Sequence, residues 1–141
     1  DRNNVCGIAG AYGLHGLVAL DNDLLQSMVR QLNHRGPDGQ GFYGDQKVML
    51  GHARLSIIDL VSGDQLIHNE DKSVWVVFNG EIFNYRELRR ELEAQGHSFY
   101  TRSDTEVLVH LYEQYGEDFV QRLNGQFAIA LWDLKLEKFI R

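Results

Sequence analysis

The chain of 141 residues contains one cysteine, one proline and no long apolar run. A single cysteine excludes an internal disulfide framework and a cysteine-based zinc site. No apolar stretch approaches the roughly 20 residues that a bilayer-spanning helix needs. Basic residues are the minority, 14 Lys+Arg against 20 Asp+Glu, and 14 − 20 leaves a net charge of −6. They are dispersed along the chain, so no electrostatic footprint for nucleic acid exists. No basic–apolar–small signal segment opens the sequence, and internal repeats and low-complexity tracts are absent. These absences predict a soluble, cytoplasmic protein that binds neither nucleic acid nor membrane. The 43% hydrophobic and 24% charged content is that of an ordinary globular protein. The length suits one domain that holds together without disulfides or metal.

After a polar lead, Asp1-Arg2-Asn3-Asn4, the run from Val5 to Tyr12 reads as a buried strand whose glycines let another backbone approach closely. Asp21 or Asn22 is placed to cap a helix. Leu24, Leu25, Met28, Val29 and Leu32 then recur at three- and four-residue spacing, one helical face. His34 to Gly41 is rich in turn residues and holds the only proline, Pro37, so a loop is expected. Lys47–His52 and Arg54–Ile58 suggest two strands joined by a short connection, and Asp59–Asn69 a polar loop. Val74–Phe78 is a strong strand signal from its β-branched and aromatic side chains. Asn84 with Glu87, and Ser103 with Glu106, have the spacing of capping boxes that open two helices. A short helix over Asp118–Leu123, a strand over Phe127–Trp132 and the start of another at Lys138–Arg141 complete the pattern. Strands and helices mix without βαβ alternation, which predicts an α+β fold.

Several residues admit both a structural and a chemical role. Cys6 in an apolar strand can be a small buried hydrophobe. It can also be a nucleophile, and a thiol, whose ordinary pKa is near 8.5, then needs a base. An α-amino group titrates at about 7.7–8.0, so a nucleophile that is itself the first residue can use its own amine. Asn79-Gly80 fits a tight hairpin turn, for which Asn-Gly is the strongest short signal. It equally fits an oxyanion hole built from a side-chain amide and a backbone N–H. Arg54 is either a solvated strand end or a fork for a carboxylate. Asp104 either complements a helix dipole or faces a substrate ammonium. An arginine and an aspartate held apart in one pocket would suit a free amino acid. His34, His52, His68, His97 and His110 show no metal-binding spacing, so no metal is expected; His15 sits in a glycine-flanked loop. His52 as a base for Cys6 is the alternative to the amine.

Five motifs occur in order: Cys6-Gly7-Ile8-Ala9-Gly10, His34-Arg35-Gly36-Pro37-Asp38, Gly51 to Asp59, Asn79-Gly80-Glu81-Ile82-Phe83-Asn84 and Ser103-Asp104-Thr105-Glu106. In this the chain resembles class II glutamine amidotransferase domains, above all those of glutamine-hydrolysing asparagine synthetases, from Cys6 to Arg141. The resemblance implies an N-terminal nucleophile fold, a four-layer αββα sandwich with antiparallel sheets. It implies that Cys6 attacks the side-chain amide of L-glutamine with its own amine as base, and that Asn79 and Gly80 form the oxyanion hole. Arg54 would hold the α-carboxylate, Asp104 and Glu81 would face the α-ammonium, and backbone of Leu55, Ser56, Ile57 and Ile58 would line the pocket. No cofactor is implied for this domain. ATP and Mg²⁺ belong to a synthetase domain or subunit that receives the ammonia, and no ATP-binding segment is present here.

Three departures carry expectations. Residues 1–5 precede Cys6, as a tag scar or propeptide, and would block its amine, so a catalytically silent module that binds glutamine or a partner is the alternative function. Gln65-Leu66 stands where the family usually has Gln-Pro, which predicts a more mobile loop. The sequence stops at Arg141 where the family continues, so residues 6–141 are expected to be a partial domain. Exposed sheet edges make a homo-oligomer compatible with this reading.

Overall fold

The computed structural model describes residues 6–13, 22–54 and 66–141, with Asn22 and Arg54 described by their backbone. They divide into two compact units, up to Leu66 and from Ile67.

The first unit is a three-stranded antiparallel sheet with one helix. Its strands are β1 (Gly7–Tyr12), β2 (Gly39–Gly44) and β3 (Val48–Arg54), in the order β1-β3-β2, and α1 spans Asn22–Gln31. Of the expected apolar face of α1, Leu25 and Val29 pack on Met49 and Ala53 of β3 with Leu32 beside them, whereas Leu24 is exposed. The close backbone approach expected of the β1 glycines is present at Gly10, where a Cβ would lie 2.9 Å from Met49 O; at Gly7 the near neighbour is instead the Leu32 side chain, 2.8 Å from a Cβ. Two expectations fail. No break separates Lys47–His52 from Arg54, because β3 runs on through Ala53, which pairs with Gly7 on one side and Gln40 on the other. Gly39 to Gly41 are not loop but the start of β2, since β3 offers them a complete ladder that outweighs their turn propensity. Asp21, His15 and the expected strand beyond Arg54 lie outside the described residues. So does Gln65 of the loop expected to be mobile, whereas Leu66 is buried.

The second unit is a four-stranded antiparallel sheet, β4 (Ile67–His68), β5 (Val74–Ile82), β6 (Gly125–Asp133) and β7 (Lys138–Ile140), in that order. Helices α2 (Tyr85–Ala94) and α3 (Glu106–Tyr115) and a 3-10 segment (Gly116–Arg122) accompany it. Val74, Val76, Phe78 and Ile82 alternate along β5 onto one face, where they join Leu88, Leu92, Leu108, Leu111 and Phe119 in the core. The intervening Asn79 and Glu81 therefore belong to the opposite face of the strand.

Neither capping box forms. Asn84 precedes α2 but turns its side chain away: Nδ2 donates to Arg122 O at 2.9 Å and Oδ1 accepts from Asn124 N at 2.9 Å. Glu106, fully buried, accepts from the N–H of Tyr100 at 2.8 Å and of Thr101 at 2.7 Å, and from Thr101 Oγ1. Burial alone would raise its pKa, but these bonds and His110 outweigh that and hold its carboxyl below the usual range. Helix α2 ends in a Schellman motif. Gly96 adopts φ +97°, its N–H reaches Glu93 O, and His97 N–H reaches Leu92 O at 3.0 Å. Among the described residues, no helix is long and apolar enough to cross a membrane.

Candidate functional site

In the first unit the ladder sets the position of Cys6. The first rung pairs Gly7 with Ala53, so Cys6, one step earlier and half-buried, stands level with Arg54, the last residue of β3. Arg54 is also the rung partner of Gly39 on its other side. His52 pairs with Ile8, and strand alternation puts it on the same sheet face as Cys6. Diagonal neighbours of this kind are roughly 7–8 Å apart between Cα atoms. Leu55, Ser56, Ile57 and Ile58 lie outside the described residues.

In the second unit Asn79 and Gly80 are not a turn. They lie inside β5, paired with Ala128 and Phe127 of β6. The hairpin alternative fails because both residues find strand partners more than 40 positions away. Gly80 adopts φ +144°, a region open almost only to glycine. A Cβ there would sit 2.6 Å from Phe127 Cα and closer still to Gln126 O.

Asp104 precedes α3, with its carboxyl near the backbone N–H of Ile82 at the end of β5. Residues 22 positions apart are thereby brought together, and the Asp104 carboxylate comes within electrostatic reach of Glu81. Burial pushes the Asp104 carboxyl up from its usual range; backbone hydrogen bonds oppose this, and the Glu81 charge reinforces it. A helix-dipole role would have lowered it. A carboxyl whose ionisation is opposed by burial and by a neighbouring acid is stabilised as the anion by a cation placed beside it.

A second group was not legible in the sequence. Glu70, His97, His110 and Glu113 place four donor atoms within 4.8 Å of one another. The only sequence signal is Glu106, His110 and Glu113 at i, i+4 and i+7 on one face of α3, and it says nothing of Glu70 or His97.

The glutamine amidotransferase domain family matches residues 5–140 of the chain. Over 131 residues the chain is 45% identical to glutamine-hydrolysing asparagine synthetase 1 of Bacillus subtilis, covering 92% of this chain and 21% of that one. Over 136 residues it is 46% identical to glutamine-hydrolysing asparagine synthetase 2 of Oryza sativa subsp. japonica, covering 96% and 23%. The chain thus spans about a fifth of the length of these curated relatives. A solved glutamine phosphoribosylpyrophosphate amidotransferase of B. subtilis, complexed with ADP and GMP, is similar at a TM-score of 0.66 and 23% identity. That likeness covers 92% of this chain and 35% of the other. At this identity it speaks to the fold, and it agrees with the α+β arrangement expected of an N-terminal nucleophile amidotransferase.

Proposed function

From the premise that the chain belongs to the glutamine amidotransferase domain family, we propose that, with Cys6 as its first residue, it hydrolyses the side-chain amide of L-glutamine to glutamate and ammonia. The observation that carries this is the match of that family to residues 5–140, with Cys6 at the mouth of β1. Cys6 Sγ attacks the amide carbon while the residue's own amine takes the thiol proton. The tetrahedral oxyanion is held by Asn79 and the Gly80 N–H. The amine returns the proton to the departing ammonia, leaving a thioester, which water then hydrolyses to glutamate. Arg54 holds the α-carboxylate, backbone of Leu55–Ile58 lines the pocket, and the Asp104–Glu81 pair receives the α-ammonium. The ammonia passes to an ATP-dependent synthetase partner that makes asparagine, since the relatives are glutamine-hydrolysing asparagine synthetases. The same kinship disfavours a catalytically silent module.

The test is glutamate release from glutamine by the 141-residue chain and by a chain that begins at Cys6. Turnover is expected from the second and not from the first, because only the second offers the free amine. Equal turnover from both, lost in His52→Ala, would transfer the base to His52, which shares the sheet face of Cys6. Absence of turnover from folded protein in either form would overturn the proposal.

The raised Asp104 pKa sets a pH dependence. Its carboxyl keeps a proton to higher pH than an ordinary aspartate, and only the anion attracts an ammonium. Glutamine affinity is therefore expected to be low at acid pH, to rise as pH climbs through the raised Asp104 range, and then to level off. In Asp104→Asn the rising limb disappears and KM increases at neutral pH, with kcat changing less. A pH series of KM in both proteins decides this. A wild-type KM flat across the acid range would separate Asp104 from the ammonium.

A further inference from the structure

We propose that Glu70, His97, His110 and Glu113 form a binding site for one divalent transition-metal ion of the Zn²⁺ class, separate from the glutamine site. His97 Nδ1 and His110 Nδ1 face each other at 3.3 Å. His110 Nδ1 is 3.5 Å from Glu70 Oε2, and His97 Nδ1 is 4.0 Å from Glu113 Oε2. Two ligand atoms each about 2.0–2.1 Å from a tetrahedral zinc are about 3.3–3.4 Å apart. The imidazole pair already stands at that separation, and a carboxylate oxygen lies within 4.0 Å of each Nδ1.

The outer contacts say which ring nitrogens are available. His110 Nε2 lies 3.3 Å from Glu106 Oε1, an oxygen that already accepts from Tyr100 N, so this nitrogen carries the hydrogen. His97 Nε2 lies 3.1 Å from Gln114 Oε1, again an acceptor. With Nε2–H directed outward, each ring presents its Nδ1 inward, and the two Nδ1 atoms meet at 3.3 Å, a spacing that a shared proton or a bound cation satisfies. Metal-ligating histidines characteristically donate their other N–H to a carboxylate or carbonyl in this way. Glu70 is oriented as well: its Oε1 accepts from Ser98 N at 3.0 Å. Three of the four donors thus have a second partner fixing them.

The supports are rigid. His97 is set by the Schellman motif that ends α2. His110 and Glu113 are one turn apart on α3. Glu70 rides on the β4–β5 turn, locked by the buried Asn69, whose Oδ1 accepts from Val74 N at 3.0 Å. His110 is sealed from solvent, while the Glu70 side chain is 41% exposed and leaves a route of entry. Two imidazoles with two carboxylates suit zinc and its first-row neighbours, whereas Mg²⁺ and Ca²⁺ prefer all-oxygen sets. Four protein ligands close the coordination sphere, which marks a structural ion rather than a catalytic one. Such an ion would clamp the β4–β5 turn and the end of α2 onto α3.

The full chain, in a Cys6→Ala background to remove the competing thiol and freed of metal by chelator dialysis, is titrated with Zn²⁺ alone by calorimetry. Expected are one equivalent bound and a Tm that rises with free Zn²⁺. Co²⁺ alone should give the visible absorption of a tetrahedral site. His97→Gln, at a partly exposed position, should weaken Zn²⁺ at least about a hundredfold, and Gln114→Ala about 10–100-fold. Glu113→Gln, on the exposed side, gives a second ligand variant should His97→Gln fail to fold. No binding by the folded chain in molar excess of Zn²⁺ overturns the proposal, leaving the histidines to share a proton. So does affinity unchanged in whichever ligand variant retains the wild-type circular dichroism.

Discussion

Cys6→Ala is expected to abolish glutamate release in the chain that begins at this position, by at least about 10⁴-fold, while the protein keeps its fold. The chemical loss is complete in kind. Alanine cannot form the thioester, and the oxyanion donors alone recover only a small part of the rate. The structural loss is small, because the side chain is half-buried and precedes the first rung of β1 rather than filling the α1 core. Removing one sulfur there costs about 1 kcal/mol or less. Glutamine binding should persist, since its charged ends are held by other groups. Turnover by a coupled glutamate assay and binding by calorimetry, both on protein of verified melting temperature, separate these effects. Retained turnover in Cys6→Ala would sink the covalent mechanism.

The second large effect is expected at the oxyanion hole. Asn79→Ala should lower kcat about 10²–10³-fold with KM little changed, because the amide contacts an oxygen whose charge exists only in the tetrahedral state. Asn79 is partly exposed and on the face of β5 away from the helices, so its truncation should cost under about 1 kcal/mol. Gly80→Ala should be severe in both respects. At φ +144° a side chain is strained by about 1–3 kcal/mol, and its Cβ would strike the backbone of Gln126 and Phe127, which cannot yield as a flexible side chain would. Urea unfolding measures the stability loss, and kcat corrected for the folded fraction measures the chemical one. Should Asn79→Ala raise KM and leave kcat alone, Asn79 would be a ground-state contact and the oxyanion donors would have to be sought elsewhere.

Glu106 illustrates how close local sequence rules come and where they stop. The spacing from Ser103 to Glu106 correctly announces a helix start. A capping box, however, requires Glu106 to reach back to Ser103 N–H, and that donor goes to Thr101 Oγ1 at 3.1 Å instead. The carboxylate is recruited two and three residues further back by the segment entering α3. Asn84 behaves alike: its position before α2 is legible, but its amide serves the segment 122–124, nearly forty residues on.

The amino-acid sequence by itself determined the elements whose causes are local. The spacing of Leu25 and Val29 made a helix face, and the β-branched run Val74–Phe78 made a strand. Tertiary structure alone decided what depends on a partner remote along the chain. It put Asn79-Gly80 inside a strand because β6 supplies a ladder for them. It tied Asp104 to the end of β5 beside Glu81, and it turned His97 and His110 toward each other at 3.3 Å. The physical reason is range. Backbone propensities and side-chain periodicity act within a turn or two, whereas hydrogen bonds, charge pairs and ligand geometries act through a few ångströms of space that any two residues can come to share.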